Sequence, residues 1–445
     1  MTENISNDDM ISERAILVGL EIDDGGLLIE GMTEGERSVD ELEELAKTAG
    51  IIVEGKMLQK RHSKDSAHYI GSGKLEELGE LCENMDVETV IFDDELSGAQ
   101  IRNIEEAIGV KVVDRTTLIL DIFAQRAHSR EGKIQVELAQ LKYRLPRLIG
   151  MGGQLSRLGG GIGTRGPGEK KLETDRRHIR RRINYLENEL KEVSKQRELI
   201  RETRGGSEFP IVALVGYTNA GKSTLMNKLC GSDVFVEDKL FATLDPTTRK
   251  LTFENNSLLE TDNANNKKET ILMVDTVGFI RKLPTELIEA FKSTLEEAVY
   301  ADLLIHVVDA ADAEYEEYIK VVNEILNLLG AVNKPIVIAL NKIDCLGFQE
   351  RIPLENVYGR MQSEVYEISA KTGQGVGDLV KGIEKILSTN KIELDILIPY
   401  NEGWVLPYIY DNGKILEKEF KDNGTKVKVL IESKKAYKIK DYSLY

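Results

Sequence analysis

A glycine-bounded loop, Gly216-Tyr-Thr-Asn-Ala-Gly-Lys-Ser223, constrains this chain more than any other stretch of its sequence. It follows an apolar run at residues 211–215 and precedes a helix-like run at residues 224–230. Strand, glycine loop and helix in that order form a phosphate-binding P-loop, in which backbone N–H groups point at phosphate oxygens. Lys222 then reaches the β- and γ-phosphates, and the Ser223 hydroxyl holds a Mg²⁺ ion. The sequence therefore predicts a nucleotide site here.

A threonine-rich stretch at residues 240–248 follows, in the position of the first switch loop of a GTPase. A threonine of this loop closes over Mg²⁺ and the γ-phosphate when the triphosphate is bound. We assign this role to Thr243. Thr247 and Thr248 remain alternatives, because spacing alone does not decide among the threonines of one loop.

An apolar strand at residues 271–274 ends in an Asp-x-x-Gly motif, Asp275-Thr-Val-Gly278. The aspartate is predicted to hold Mg²⁺ through water, and the glycine N–H is predicted to sense the γ-phosphate. Loss of that phosphate would release both switch loops, which gives an order–disorder switch. The polar segment before this strand, residues 255–270, is predicted to be a hairpin turn without chemistry.

Guanine specificity is predicted by a strand at residues 336–340 that ends in Asn341-Lys-Ile-Asp344. The aspartate carboxylate accepts hydrogen bonds from guanine N1–H and N2–H₂, whereas adenine offers neither donor in that geometry. The asparagine would brace the loop, and the lysine stem would cover the base. Ser369-Ala-Lys371 follows a further short strand and can offer its alanine N–H to guanine O6.

These motifs together predict a single site for GTP, GDP and Mg²⁺. The predicted catalytic residues are Lys222, Thr243 and Gly278, and the predicted metal ligands are Ser223 and Thr243. The predicted nucleotide contacts are Gly216, Tyr217, Thr218, Asn219, Ala220, Gly221, Lys222, Ser223, Phe241, Ala242, Thr243, Leu244, Asp245, Asp275, Thr276, Val277, Gly278, Asn341, Lys342, Ile343, Asp344, Ser369, Ala370 and Lys371.

Two residues of these motifs bear on catalysis. Phe279 follows Gly278 at the position where Ras-like GTPases place a glutamine that orients the attacking water. A phenylalanine cannot hydrogen-bond that water, so we expect slow intrinsic hydrolysis unless a partner or another group orients it. Asn219 occupies the P-loop position at which potassium-activated GTPases coordinate a monovalent cation. Coordination of K⁺ and simple bracing of the loop both remain open for this asparagine.

The 445-residue chain has a formal net charge of −17, but its charges are distributed unevenly. Residues 1–50 carry fourteen Asp or Glu against three Lys or Arg, whereas residues 142–182 carry twelve Lys or Arg against three Asp or Glu. Such a local excess of positive charge within an acidic protein indicates a specific anionic partner.

The apolar runs are too short to span a bilayer, and the polar, acidic N-terminus is unlike a secretory signal. Cys82, Cys230 and Cys345 are widely spaced, and we expect them to be buried thiols in a reducing cytoplasm. A cytoplasmic location is therefore expected, with peripheral membrane association of a part of the molecules left open.

Residues 14–130 alternate strand-like with helix-like runs, which predicts a parallel α/β sheet. Strands are predicted at residues 14–20, 89–92 and 110–113, and helices at residues 39–46 and 97–108. Gly71-Ser-Gly-Lys74 matches a P-loop only in part. We interpret it as a glycine turn that begins a helix, with a second nucleotide or RNA contact as the alternative.

Apolar residues recur in steps of three and four from Ile134 to Leu148, and again from Ile179 onward. This spacing predicts two long helices paired as an antiparallel hairpin, the second of them over residues 170–203. The connecting residues 149–168 contain nine glycines and are flanked by arginines and lysines. We expect this basic tip to enter structured RNA, with arginines on the phosphates. A flexible linker beside a solvated basic helix is the alternative.

The predicted fold class is α/β, with a P-loop GTPase domain as its central unit. The predicted divisions are a disordered tail at 1–12, a parallel α/β subdomain at 13–130, a helical hairpin with a glycine-rich basic tip at 131–205, the P-loop GTPase domain at 206–390, and a small C-terminal α/β appendage at 391–445.

The chain resembles HflX-type GTPases, within the translation-factor-related Obg–HflX group. The stretches that carry the resemblance are 216–225, 240–249, 275–284 and, most distinctively, the glycine-rich 159–168 with 169–174. The resemblance covers residues 12–390 and implies binding to the large ribosomal subunit and GTP-controlled splitting of stalled ribosomes. It also implies Ser223 and Thr243 as the Mg²⁺ ligands, and hydrolysis that the ribosome stimulates. It implies no role for the residues after Lys391.

We therefore expect a GTPase that hydrolyses GTP to GDP and phosphate and binds ribosomal RNA of the large subunit through residues 142–182. Off the ribosome we expect a monomer. The alternative is a GTP-dependent signalling switch acting on a protein or membrane-protease partner, with the hairpin as a protein interface. The arginine-rich tip favours RNA, because the core of a protein interface is rich in aromatic residues and poor in charge.

Overall fold

The structure is a computed structural model of the chain. The residues that it describes are 13–22, 28–29, 31–148, 167–203, 209–231, 240–241, 247–253, 269–284, 287, 292–331, 334–346, 364–389 and 391–444. The predicted disordered tail therefore lies outside the described residues.

The N-terminal sheet is parallel throughout, as predicted, with strand order β2-β1-β3-β4. Its strands are β1 (Arg14–Ile22), β2 (Ile52–Arg61), β3 (Thr89–Phe92) and β4 (Lys111–Asp114). Its helices are α1 (Glu34–Thr48), α2 (Ser72–Met85), α3 (Gly98–Ile108) and α4 (Arg115–Arg126). Ser97 caps α3 through a capping box with Gln100, a pattern that fixes the helix start locally. Gly71 is the N-cap of α2, which confirms the helix-start interpretation of that glycine turn.

The predicted helical hairpin is confirmed. It consists of α5 (Arg130–Arg147) and α6 (Pro167–Thr203). Their apolar seam buries Ile134 and Leu138 of α5 against Ile183 and Leu186 of α6. Most of the basic tip, residues 149–166, lies outside the described residues.

The third unit is a six-stranded sheet of order β10-β9-β8-β5-β7-β6, in which only β6 runs antiparallel to its neighbour. The strands are β5 (Ile211–Gly216), β6 (Thr247–Phe253), β7 (Glu269–Asp275), β8 (Leu303–Asp309), β9 (Ile336–Asn341) and β10 (Glu364–Glu367). The helices are α7 (Lys222–Cys230), α8 (Lys292–Tyr300), α9 (Tyr315–Leu328) and α10 (Val376–Thr389). Because β6 and β7 form a hairpin, the predicted hairpin is confirmed, although most of its turn lies outside the described residues.

The C-terminal unit is a three-stranded antiparallel sheet of order β11-β13-β12. Its elements are β11 (Lys391–Ile398), α11 (Val405–Asn412), β12 (Gly413–Lys421), β13 (Gly424–Glu432) and α12 (Ser433–Ala436). Val405 and Ile409 of α11 pack on Val427 and Val429 of the central strand. This is the small α/β appendage that the sequence predicts.

One hydrophobic core joins the N-terminal sheet to the six-stranded sheet. Phe123 of α4 meets Phe241 edge to face, with ring centroids 4.6 Å apart. The same cluster contains Val136 of α5 and Phe279 beside the P-loop. The base of the hairpin and the nucleotide domain therefore share buried apolar contacts.

The cysteines differ in exposure: Cys82 is buried, Cys230 is half-buried and Cys345 is exposed, and all three are free thiols. The expectation of buried thiols is therefore wrong for Cys345. It closes a short 3₁₀ turn, Ile343–Cys345, that directly follows the buried strand β9.

Candidate nucleotide-binding site

The P-loop begins and ends in glycines whose conformations and surroundings exclude a side chain. Gly216 has φ +152°, and a Cβ atom there would lie 2.3 Å from the Val307 carbonyl oxygen. Gly221 has φ +93°, and its Cβ atom would lie 2.2 Å from Asn341 Nδ2. The loop backbone therefore packs directly against the Val307 backbone at one end and against the Asn341 side chain at the other. Only glycine allows so close an approach, which a phosphate-binding loop requires.

Lys222 starts α7 and is buried beneath the loop. Its Nζ donates hydrogen bonds to the carbonyl oxygens of Tyr217, at 2.7 Å, and Gly216, at 3.1 Å. Burial lowers the pKa of Lys222 to about 8, with the nearby Asp275 carboxylate opposing that shift. An ammonium group held inside the loop can move to a phosphate without a large rearrangement.

Ser223 and Asp275 are brought together at the metal side of the loop. Ser223 Oγ donates to Asp275 Oδ2 at 2.7 Å, and the aspartate is 2% exposed. A hydroxyl and a carboxylate oxygen side by side are the hard oxygen donors that Mg²⁺ takes in phosphate sites. The donor set therefore fits the predicted ion.

The Asp-x-x-Gly segment lies directly on the P-loop. Thr276 Oγ1 donates to the Leu214 carbonyl oxygen at 2.6 Å, which fastens the segment to β5. Phe279 N donates to the Gly216 carbonyl oxygen at 3.1 Å, and Thr218 N donates to the Phe279 carbonyl oxygen at 2.8 Å. The segment and the loop are thus paired like two short strands.

The guanine side is organised around Asn341. Its Nδ2 donates to the Ala220 carbonyl oxygen at 2.8 Å, so it braces the P-loop as predicted. Its Oδ1 accepts from Ala370 N at 2.9 Å. The alanine N–H that was assigned to guanine O6 is therefore already engaged with Asn341, and a guanine oxygen would have to share this donor.

Asp344 follows in an exposed position. A hydrogen bond from the Ser369 hydroxyl lowers the pKa of the Asp344 carboxyl, so the group is ionised and accepts hydrogen bonds. Lys342 adopts φ +67°, and its Nζ lies 2.6 Å from Asp309 Oδ2. The sequence interpretation missed Asp309, although its place as the last residue of the buried strand β8 could have indicated a site residue.

Several predicted site residues lie away from the interior of the P-loop or outside the residues that the structure describes. Ala242, Thr243, Leu244 and Asp245 lie outside the described residues. Phe241 is 2% exposed and packs against Phe123 in the core. Asn219 is exposed at the tip of the loop with φ +57°. Val277 is buried, whereas Ile343 is half-buried and Lys371 is exposed.

A set of interdomain contacts at the P-loop was not predicted. The Tyr217 hydroxyl donates to Glu41 of α1 and accepts from Arg281 N at 2.8 Å. The Tyr217 ring stacks on Tyr318, with centroids 3.9 Å apart. The second P-loop residue is therefore held by the N-terminal subdomain and by the segment that follows Gly278.

The basic arm is partly committed to internal ion pairs. Arg182 forms a two-pronged contact with Glu137, at 2.7 and 2.8 Å, and Arg147 Nη2 lies 2.5 Å from Glu95 Oε1. These two arginines stabilise the hairpin and its base. Arg180 and Arg181 of α6 are exposed and face solvent.

Comparison with known proteins places family models along most of the chain. Residues 36–124 match "GTP-binding GTPase N-terminal", 126–204 match "GTP-binding GTPase Middle Region", 211–342 match "50S ribosome-binding GTPase", and 357–440 match "HflX C-terminal domain". In the described part of the chain, no helix is both long enough and apolar enough to cross a membrane.

The relatives are similar over nearly their whole lengths. GTPase HflX of Caldanaerobacter subterraneus is 52% identical over 416 residues, which cover 94% of this chain and 90% of that protein. GTPase HflX of Escherichia coli is 41% identical over 390 residues, covering 87% and 88% respectively. A crystal structure of SsGBP with GDP matches at 26% identity and a TM-score of 0.46, over 84% of this chain and 98% of that one. With a guanine-nucleotide site of this geometry, and relatives of this similarity, the chain belongs to the HflX family of GTPases.

Proposed function

We propose that this GTPase binds the large ribosomal subunit through its arm, residues 142–182, and splits stalled ribosomes under the control of GTP. One observation carries the proposal: polar contacts run from the P-loop into the N-terminal subdomain and on to the base of the arm. A change at the γ-phosphate therefore has a physical route to the RNA-binding end. The description "50S ribosome-binding GTPase" for residues 211–342 supports the same partner.

The first step of this route joins the nucleotide domain to α1 and β3. Arg115 is 1% exposed, and its guanidinium lies 2.5 Å from Glu41 Oε2 and 2.7 Å from Asp93 Oδ1. Glu41 also accepts from the Tyr217 hydroxyl. Lys282 lies 2.5 Å from Asp93 Oδ2. Arg115 and Asp93 are deeply buried, and a buried ion pair that loses one partner is strongly destabilised. We therefore expect a displacement of one group to move its partners.

The second step reaches the hairpin. The Tyr143 hydroxyl of α5 donates to Asp114, the residue that precedes Arg115. Arg147 Nε, at the last residue of the same helix, donates to the Leu96 carbonyl oxygen at 3.1 Å. The arm is thereby fixed to the carboxyl ends of β3 and β4, next to the buried charges.

At the nucleotide, Ser223 and Thr243 would hold Mg²⁺ directly, and Asp275 would hold it through water. When bound, the ion neutralises charge that develops on the phosphate oxygens. Lys222 contacts the β- and γ-phosphates, and the Gly278 N–H reports the presence of the γ-phosphate. The exposed Asn219 stands where it can coordinate K⁺.

GTP hydrolysis measured with and without purified large ribosomal subunits tests the proposal. We expect stimulation of hydrolysis, co-sedimentation with the subunit in a nonhydrolysable GTP analogue, and dissociation of 70S particles. Absence of both stimulation and co-sedimentation would overturn the ribosome assignment. Salt-insensitive binding to a protein partner would favour a signalling switch instead, because phosphate contacts weaken steeply with salt.

A pair of variants separates the arm, residues 142–182, from the rest of α6. Reversing charge at Arg180 and Arg181, exposed residues towards the tip end of α6, should weaken subunit binding and flatten its salt dependence. The matched control reverses Lys191 and Lys195, exposed residues farther along the same helix. Equal losses from both pairs would contradict a dedicated RNA-binding end. Deleting residues 151–167 should abolish splitting while GTP affinity stays nearly unchanged.

A further inference from the structure

The residue after the Asp-x-x-Gly motif cannot orient the attacking water in this protein. The Phe279 side chain is 1% exposed and belongs to the core shared with Ile280 and Val277. Its backbone N–H and carbonyl oxygen are both bonded to the P-loop, so the residue has little freedom to turn. A GTPase nevertheless needs a group that positions the water, because phosphoryl transfer depends on positioning and electrostatics.

The γ-phosphate end of the site is marked by Lys222 and Gly278. A Cβ atom built on Gly278 would lie 3.0 Å from Lys222 Nζ and 2.8 Å from Thr218 Cγ2. The same atom would lie 2.9 Å from Thr218 Cα. Thr218 therefore stands at the junction of the phosphate-binding ammonium group and the glycine that senses the γ-phosphate.

The Thr218 hydroxyl oxygen is buried and has no hydrogen-bond partner among the described residues, and the residue as a whole is 7% exposed. The neighbouring hydroxyls of Ser223 and Thr276 are both hydrogen-bonded within the protein. A buried hydroxyl without a partner is energetically unfavourable, so its presence in a binding site points to a ligand atom or a bound water as its partner. Its backbone is fixed, because Thr218 N donates to the Phe279 carbonyl oxygen at 2.8 Å.

We propose that the Thr218 hydroxyl is a catalytic group that orients the attacking water against the γ-phosphate, in place of the absent glutamine. A hydroxyl both donates one hydrogen bond and accepts others. It can accept a hydrogen bond from the water and donate one to a γ-phosphate oxygen, which holds the water in line with the bond between the γ-phosphorus and the bridging oxygen. The water oxygen bonds to the γ-phosphorus as that bond breaks, and GDP is the leaving group. The hydroxyl keeps its own proton, and the water proton leaves with the phosphate product. The inference rests on GTP hydrolysis alone and does not depend on ribosome splitting.

The test compares side chains that differ by one oxygen atom. Thr218→Val keeps the branched shape and the methyl contact with Gly278, whereas Thr218→Ser keeps the hydroxyl. In single-turnover hydrolysis without ribosomal subunits, we expect Thr218→Val to be slower by about ten-fold or more and Thr218→Ser to stay within about three-fold of the unmodified protein. GDP affinity should change by less than about two-fold in both variants, because GDP lacks the γ-phosphate.

Binding of GDP with aluminium fluoride gives a readout that a structural role would not move. Thr218→Val should lose the extra affinity for this transition-state mimic, and Thr218→Ser should retain it. The proposal would be overturned if Thr218→Val hydrolysed GTP at the rate of the unmodified protein. It would also be overturned if the GDP affinity of this variant fell as much as its hydrolysis rate. If Thr218→Val does not fold, the pair Thr218→Ser and Thr218→Ala makes the same one-oxygen comparison. Because the ribosome is left out, a failure of the ribosome proposal does not affect this result.

Discussion

Lys282 Nζ lies 2.5 Å from Asp93 Oδ2 and so joins the nucleotide domain to the carboxyl end of β3. Lys282 comes four residues after Gly278, and its Nζ also lies 3.1 Å from Asp94 Oδ1. Asp93 is 2% exposed and accepts from the buried Arg115 as well. An ion pair whose acidic partner is buried resists separation far more than a surface pair does. The position of this lysine is therefore tied to the N-terminal subdomain.

Replacing this lysine should weaken the coupling between nucleotide and arm. In Lys282→Met the apolar stem remains and the charge is lost, so Asp93 keeps only the positive charge of Arg115. The affinity of the protein for the large ribosomal subunit is compared in a GTP analogue and in GDP. We expect the ratio of these two affinities to fall by about five-fold or more, since coupling free energies between two binding sites are typically ~1–3 kcal/mol. Co-sedimentation of the protein with large ribosomal subunits in each of the two nucleotides measures this ratio.

The matched control is Lys320→Met, which removes an exposed pair with Glu317 on the surface of α9. An exposed pair contributes less than about 1 kcal/mol to stability, so its loss should leave the ratio of affinities unchanged. An unchanged ratio in Lys282→Met would show that the ion pair only holds the domains together.

Asn341 joins two loops, and its removal should be costly for nucleotide binding. Asn341→Ala leaves the Ala220 carbonyl oxygen and the Ala370 N–H without their partner in a buried place. Each unsatisfied group costs ~1–3 kcal/mol, so we expect GDP affinity to fall by about ten-fold or more. Titration with a fluorescent GDP analogue measures this.

A second asparagine provides the control for this variant. Asn103 Nδ2 donates to the Ala67 carbonyl oxygen at 3.1 Å in the N-terminal subdomain. Asn103→Ala should lower thermal stability modestly and leave GDP affinity unchanged. If Asn341→Ala behaves like Asn103→Ala, the asparagine bridge is structural and does not shape the guanine site.

The order of the site motifs and many of the elements were predictable because both follow local rules, whereas β2 and α4 were not predicted. Ser97 caps α3 where predicted, and the seam from Ile134 onward packs as its spacing indicates. The pairing of Tyr217 with Glu41 joins residues 176 positions apart. A contact between two single side chains leaves no periodic pattern in a sequence, and its geometry depends on how whole domains dock. The exposure of Cys345 likewise depends on tertiary packing, which no local sequence pattern records.

Asp344 should set the choice of base. Its pKa is lowered by the Ser369 hydroxyl, so it presents a carboxylate to two donors of guanine. In Asp344→Asn the side-chain amide donor faces the guanine amine, and that repulsion should lower GTP affinity by about 100-fold or more. Xanthine carries a carbonyl oxygen in place of that amine, so xanthosine triphosphate should bind the variant better than GTP. Equal GTP affinity in the variant would show that the base contacts another residue.

Lys222 should make both stability and nucleotide affinity depend on pH. Burial lowers its pKa from 10.5 to about 8 in the folded protein. Between those values the unfolded chain binds more protons than the folded chain, so the free energy of unfolding rises with pH. The buried charge therefore destabilises the nucleotide-free protein below pH 8 by up to about 3 kcal/mol, and this cost is relieved towards pH 10.5.

Nucleotide affinity should change in the opposite sense. Phosphate oxygens favour the ammonium form, so above its pKa Lys222 must take up a proton before GDP binds well. We expect GDP affinity to be flat at neutral pH and to fall towards ten-fold per pH unit above about 8. Calorimetry in two buffers of different ionisation enthalpy should show proton uptake, at a pH low enough that guanine keeps its N1 proton. Lys222→Arg, which stays charged throughout, should remove the uptake; its persistence there would assign the titration to another group.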